Sequence, residues 1–364
     1  MLSLILLSLL TATQPVTGDA PVAAAPLHLK SLVGVGRTSL EGRVRRIRHC
    51  ASGDVRIWAV QHDSSALFAD IATGPNSGFV AKSALMGLHS ELVGALCAPR
   101  PALVLSRDEG REILTLLIRP DGFQEEGTRT SSEGRRSLLG LLPMLGGFLA
   151  YGGDGLGQAG VTMVENGSKS FRWYALPSVK GVAVDLYPGA SGDSWLGTTT
   201  VPVRGDAGTW AAFSLSTDLR KGPPSGRLMG DYLPGVLNAA TCGRGCLVTA
   251  LAAGLAQPGR QARLFREPGI ARSLPMKDAP SDVTSTIPVM VGSSLCLLDT
   301  TLDSIGCRGG NRVLIAREGE YLVGPPAIEA AEGVLYLRIV VGSAAGNRGR
   351  ESLLASVELR LVKP

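Results

Sequence analysis

The chain of 364 residues predicts an all-β fold, and three observations carry that expectation. Apolar and polar residues alternate in short runs, the two-residue period of a half-buried strand. Gly (47) and Pro (22) interrupt those runs every few residues, which leaves many turns and no long helices. The third observation is recurrence. A short strand entered from Gly, Pro or Asp, a polar or glycine-rich turn and a second strand appear seven times, at Asp54–Ile71, Pro101–Ile118, Gly147–Val164, Gly181–Thr200, Gly235–Ala252, Pro288–Thr300 and Gly333–Leu359. Val55 and Val334 open the first and last copies, six intervals apart, for a mean period of 46.5 residues. That is the length of a four-stranded propeller blade.

The expected architecture is therefore a seven-bladed β-propeller over residues 31–364, with six or eight blades, or two β domains, as competing arrangements. A two-domain split would fall near Arg129 or near Lys221, in stretches that serve equally well as long loops. The copies are unevenly spaced: the one at Gly181 follows its predecessor closely and the next two arrive late, so the repeat is one of structure rather than of letters. The last copy runs out of chain after two strands, whereas Leu32–Gly36 and Gly42–Arg48 precede the first copy and belong to no hairpin. Both segments are expected to supply outer strands to the last blade and close the ring. Within the second, the Arg/aliphatic alternation from Arg43 to His49 fits an outer edge strand with one wet face. Leu138–Tyr151 is the most apolar internal run, but Pro143 interrupts it and it is too short to cross a membrane, so it reads as a buried strand pair.

Met1–Leu10 is apolar, and Val16, Thr17 and Gly18 are small enough to precede a peptidase cut, which predicts a signal peptide over 1–18. A disordered linker over 19–30 and a secreted or periplasmic location follow. Six cysteines, an even number in an exported chain, are expected to form disulfides. Proximity pairs Cys242 with Cys246 and Cys296 with Cys307, and elimination pairs Cys50 with Cys97. A metal site is the weaker reading, because three residues separate Cys242 from Cys246 and no His lies near them in sequence. At 45% hydrophobic and 18% charged the chain reads as compact rather than disordered. Its net charge of +5 is the balance of 36 Lys and Arg against 31 Asp and Glu, and the cations are 29 Arg to 7 Lys, a compositional bias that gives little reason to expect an acidic partner. No nucleic-acid partner, cofactor, metal or transmembrane segment is expected.

Gly189–Trp195 carries fragments of serine-hydrolase motifs. A trypsin-like reading would pair Ser194 with His49 and Asp70, but Trp195 stands where that family has glycine and the His-to-Asp interval is short. A glycine-rich hairpin turn accounts for the segment better. Asn166-Gly167-Ser168 fits a glycosylation sequon and also the preferred two-residue hairpin turn. The glycine-rich stretch around Asp154 has too few oxygen ligands for a calcium loop.

Ser106-Arg107-Asp108-Glu109-Gly110, followed by Ile113, resembles the Asp-box of sialidase-like propellers, and Asp206-Ala207-Gly208-Thr209-Trp210 is a shorter echo. The resemblance implies that the Asp108 carboxylate accepts backbone hydrogen bonds in the turn while Ile113 anchors the hairpin. A sialidase would further need an arginine cluster and a Tyr/Glu nucleophile pair. The function expected is non-catalytic, an exported propeller binding a protein or glycan partner, with an exported hydrolase of sialidase-like or serine type as the alternative. Arg172, Trp173, Tyr174 and Trp195 are the candidate binding residues, the three aromatics being those expected to stand exposed and Arg172 lying beside two of them.

Overall fold

In a computed structural model, residues 90–252 are described except 132–133 and 203–207; elsewhere the description covers the strands named below and residues 267 and 315. The chain is all-β. Two short strands, β1 (His28–Leu32) and β2 (Arg37–Glu41), precede a sheet of β3 (Val44–Ser52), β4 (Val55–His62), β5 (Ala66–Thr73) and β6 (Val80–Leu85). The next sheet holds β7 (Glu91–Leu96), β8 (Ala102–Arg107), β9 (Glu112–Arg119) and β10 (Gly122–Thr130). After it come β11 (Arg136–Met144), β12 (Gly147–Asp154), β13 (Gln158–Glu165) and β14 (Trp173–Lys180). A fourth sheet joins β15 (Val182–Pro188), β16 (Ser194–Val201), β17 (Thr209–Ser216), β18 (Ser225–Leu228) and the two-residue β19 (Leu233–Pro234).

Then follow β20 (Val236–Thr241), β21 (Cys246–Ala252), β22 (Ala262–Arg266) and β23 (Leu274–Pro275), and after them β24 (Thr286–Val291), β25 (Ser294–Asp299), β26 (Ser304–Cys307) and β27 (Arg312–Leu314). The last sheet contains β28 (Glu320–Leu322), β29 (Ala327–Ala331), β30 (Val334–Ser343) and β31 (Glu351–Val362), with β1 and β2 both antiparallel to β31. Every strand pairing named here is antiparallel, between neighbours in sequence except where the N-terminal strands meet β31 and where the short β19 and β28 join β17 and β30.

Passing over the three-residue β28, the first main strands of the sheets begin at residues 44, 91, 136, 182, 236, 286 and 327. That spacing is steadier than the one read from hairpins, and the reason is a change of phase. The copies at Asp54, Pro101, Gly147 and Gly333 fall on the second and third main strands of their sheets. Those at Gly181, Gly235 and Pro288 fall on the first and second. Each first strand touches the next: β3 meets β7, β7 meets β11, β11 meets β15, β15 meets β20, β20 meets β24, β24 meets β29, and β29 returns to β3.

The core lies between sheets rather than inside any one of them. Along β12, Leu149 and Tyr151 pack with Leu186, Trp195 and Phe213 of the following sheet. Phe148 and Ala150, pointing the other way, pack with Val104 and Ile113 of the preceding one. Alternation thus feeds two clusters from one strand, as a strand buried on both faces must. Similar clusters join Ile57 to Leu92, Leu103 and Leu114, and Leu196 to Leu247 and Phe265.

Two expectations change. The N-terminal segment divides: β1 and β2 pair with β31, but β3, which contains Arg45 to Arg48, pairs with β4 instead of joining the last sheet. β3 is indeed the edge of its sheet, yet it is an inner edge turned toward β7 and β29 rather than an outer one turned to water. Its second-strand partner is only two residues away, and a short hairpin closes at a smaller entropic cost than a pairing across the whole chain. The run at Leu138–Tyr151 does form a strand pair, β11 with β12. β1 opens at His28, three residues ahead of the boundary read from sequence; the proposed signal segment lies outside the described residues.

Candidate functional site

Four consecutive first strands carry the same irregularity. The register slips between Val44 and Arg46 in β3, Leu92 and Gly94 in β7, Leu138 and Gly140 in β11, and Ala183 and Asp185 in β15. Each slip leaves one residue in excess over the second strand: Arg45, Val93, Leu139 and Val184. A bulge removes a carbonyl from the ladder and turns it aside. Buried and unpaired, such a group is costly.

Two arginines of β3 collect carbonyls at the bulges of β7 and β11, Arg48 those of the excess residues and Arg46 those of the residues before them. Arg48 donates from Nε to the carbonyl of Val93 at 3.0 Å, from Nη2 to that of Leu139 at 2.5 Å, and from Nη1 to that of Ile47 at 2.9 Å. Arg46 Nη1 reaches the carbonyls of Leu92 and Leu138 at 3.2 and 3.3 Å, while its Nη2 donates to Glu91 Oε2 at 2.9 Å. A guanidinium is the one side chain with enough donors in a fixed fork to serve three strands together. Arg46 and Arg48 lie two residues apart, as side chains on one strand face must.

The opposing charge comes from β15. Asp185 occupies the place after the bulge that Arg46 holds in β3, and glycines, Gly94 and Gly140, hold it in the two strands between. At Gly140 a side chain would collide with the Tyr151 ring and hydroxyl; at Gly94 it would collide with Leu141 of the next sheet. Tyr151 thus crosses its partner strand in the space that Gly140 leaves. Burial holds the Asp185 carboxyl above the usual carboxylate range, opposed by a hydrogen bond from Thr198 Oγ1 at 3.3 Å and by the Arg48 charge. Burial, and then the Asp185 charge, push the Tyr151 phenol far up, with Arg48 acting against them. Tyr187 is pushed up for the same first reason and donates to the Ala239 carbonyl at 2.8 Å, tying β15 to β20. Partial desolvation by the surrounding fold, and then the Arg48 charge, hold His49 below the usual imidazole range although the residue keeps an exposed surface, and its ring stacks on Trp58 with centroids 5.0 Å apart.

The candidate binding aromatics separate. Trp173 and Trp195 are only 8% and 6% exposed, so the expected exposure does not hold for them. Trp173 lies across Gly160 of the neighbouring strand, with the Arg136 guanidinium 5.4 Å from its ring. Trp195 donates from Nε1 to Thr217 Oγ1 at 3.1 Å in a different sheet. Arg172 is exposed and Tyr174 half-buried, and they stack with the guanidinium 5.5 Å from the ring.

Ser194 Oγ is held by Glu267 Oε2 at 3.0 Å and by Ser191, with no imidazole among its partners. The Asp70 side chain lies outside the described residues. In the Asp-box-like hairpin Ile113 is buried as the resemblance implies, but the Asp108 carboxylate stands out toward Arg111 at 3.7 Å. Asp108, Glu109 and Gly110 all take positive φ there, and backbone geometry makes the turn. Asp154 does what Asp108 was expected to do: its Oδ1 accepts from the backbone of Leu156 and Gln158 at 2.8 and 2.9 Å. Asp206 lies outside the described residues. The sequence drew attention to Arg46 and Arg48 but misplaced them; the paired Gly94 and Gly140, at matching places in successive repeats, were the available signal.

Disulfides join Cys50 to Cys97, with Cα atoms 5.8 Å apart, and Cys242 to Cys246. Cys296 is also disulfide-bonded, and its cross-strand register partner is Cys307, whose side chain lies outside the described residues. Among the described residues no cluster of His, Cys, Asp and Glu could hold a metal ion, and no helix is long and apolar enough to cross a membrane.

No protein-family model and no curated protein matches the chain. Solved structures do. Hydrazine synthase of Kuenenia stuttgartiensis aligns at TM-score 0.54 and 11% identity over 83% of this chain and 95% of that one. The WD40 domain of Toxoplasma gondii coronin aligns at TM-score 0.52 and 10% identity over 95% and 89%, and the polysaccharide lyase Uly1 at 0.50 and 10% over 86% and 89%. The fold is thus of the β-propeller type, shared with proteins of unlike activity.

Proposed function

We propose that the protein is an exported, seven-bladed β-propeller that binds a protein or glycan partner without transforming it. The observation that carries this reading is how the inner arginines are used. Arg46 and Arg48 donate to carbonyls at and beside the bulges of β7 and β11, and Arg46 to Glu91, so these cationic groups fasten sheets together instead of facing a substrate. The cyclic order of first-strand contacts supports seven blades, with β1 and β2 completing the last one. Disulfides between and within sheets support an oxidising compartment, with residues 1–18 as the export signal and 19–27 as a linker. For the contact surface we retain Arg172 and Tyr174, with Trp173 and Trp195 as buried supports behind their strands.

The test is a pair of measurements on secreted full-length chain. N-terminal sequencing is expected to start at Asp19, and an immobilised glycan and protein panel is expected to return a ligand whose affinity falls on Arg172→Ala with Tyr174→Ala. Turnover of a fluorogenic sialoside, ester or peptide by the purified chain, lost in Ser194→Ala if the serine type applies, would overturn the non-catalytic reading in favour of a hydrolase.

A further inference from the structure

The Cys242–Cys246 bond differs in kind from the Cys50–Cys97 bond. The latter spans 47 residues and joins the first strand of one sheet to the end of the first strand of the next. The former encloses Gly243, Arg244 and Gly245 at the tip of the β20–β21 hairpin, which is already closed without it. Thr241 pairs with Leu247 in the ladder, Cys242 N donates to the Cys246 carbonyl at 3.1 Å, and Thr241 Oγ1 donates to the Gly243 carbonyl at 2.9 Å. A cross-link around so small a ring restricts the unfolded chain far less than one around forty-odd residues.

Its surroundings favour exchange. Cys242 is half-buried between exposed Thr241, Gly243 and Arg244, whereas Cys246 is buried, so an incoming thiolate has access to one sulfur. Arg244, the middle residue of the loop between the two cysteines, is exposed, and a cation close to a cysteine pair stabilises both an attacking and a departing thiolate. The loop also leans on the neighbouring sheet. Gly245 N donates to the Pro188 carbonyl at 3.2 Å, and its carbonyl accepts from Glu267 N at 2.8 Å. The Glu267 carboxylate in turn holds Ala190 N at 3.1 Å and Ser194 Oγ at 3.0 Å. Gly243 and Gly245 both take positive φ to close the ring.

We propose that Cys242–Cys246 is a thiol–disulfide exchange site for a small-molecule thiol, and that its state governs the contact between the β20–β21 tip and the Pro188–Ser194 turn. A thiolate attacks Cys242 Sγ and forms a mixed disulfide; the Cys242–Cys246 bond breaks and its electron pair leaves on Cys246 Sγ. A second thiolate attacks the small molecule's sulfur, releasing the small-molecule disulfide and the Cys242 thiolate. Both protein thiolates take protons from water.

The experiment equilibrates the folded, full-length chain in glutathione buffers of graded reducing strength, quenches with iodoacetamide and maps the peptides. Cys242 and Cys246 are expected to alkylate at roughly tenfold or more lower reducing strength than Cys50 and Cys97. The trapped glutathione adduct should sit on Cys242, and Arg244→Ala should slow its formation several-fold. Cys242→Ser with Cys246→Ser should leave the far-ultraviolet spectrum unchanged while raising amide exchange at Ala190 and Ser194. Reduction of both bonds together, reduction only on unfolding, or an adduct on Cys246 would overturn the proposal.

Discussion

Arg48 Nη2 lies 2.5 Å from the carbonyl oxygen of Leu139, the residue by which β11 exceeds its partner strand. The bond spans 91 residues and two sheet boundaries, so the bulge and the arginine each supply what the other lacks. Removing the guanidinium leaves the carbonyls of Val93 and Leu139 without a donor. Arg48→Met is expected to destabilise the protein by about 3–5 kcal/mol, and Arg48→Lys, with one point of charge, to recover less than half of that. Urea denaturation of the three proteins decides it; equal midpoints would mean the clasp contributes nothing.

Gly94 and Leu141 give a second, steric test. A Cβ at Gly94 would stand 2.5 Å from Leu141 Cγ. Gly94→Ala is expected to cost about 1–3 kcal/mol in the wild-type background and markedly less in Leu141→Ala, where the colliding atoms are gone. Additive losses in the double-mutant cycle would show that the two positions do not meet.

Asp185 predicts a pH dependence. Burial raises its folded-state pKa above the unfolded value, so between those two values the native chain binds more protons than the unfolded chain and stability falls as pH rises. Below the ordinary carboxylate range both states hold the proton and the penalty vanishes. Asp185→Asn is therefore expected to gain stability relative to wild type on going from pH 3 to pH 7. A difference that stays constant, or runs the other way, would place a favourable ion pair with Arg48 above the desolvation of the carboxylate.

The two described bridges should differ in what they contribute. Cys50→Ala with Cys97→Ala is expected to lower stability by about 4 kcal/mol, and Cys242→Ala with Cys246→Ala by about 2 kcal/mol, from the lengths of chain they enclose. Thermal denaturation under non-reducing conditions measures both. A larger loss from the short bridge would contradict the chain-entropy account.

Period-two alternation and glycine-rich turns made the strands legible from sequence, since both act over a few residues. Phase was not: β4–β5 and β15–β16 are the same kind of hairpin locally, and only pairing with a third and fourth strand tells which place each takes in its sheet. Cys50 and Cys97 were legible only by elimination, once proximity had paired the other four; that their places at the entries to successive repeats come within 5.8 Å is a property of how the sheets stack. Trp173 was not, because its burial depends on Gly160 one strand away, and register is a property of two strands. Arg46 and Arg48 failed for a related reason: their alternation is common to any edge, and which edge faces inward is decided by the strands that follow.

The pairing of β1 and β2 with β31 sets a schedule for folding. On the ribosome the first strands to emerge are among the last to find partners, because residues 351–362 are made more than three hundred residues later. Until then His28–Leu32 and Arg37–Glu41 present unpaired edges to any other chain. A pause or truncation before Glu351 leaves the preceding sheets free to form while the opening between first and last stays unsealed, a state prone to association between molecules.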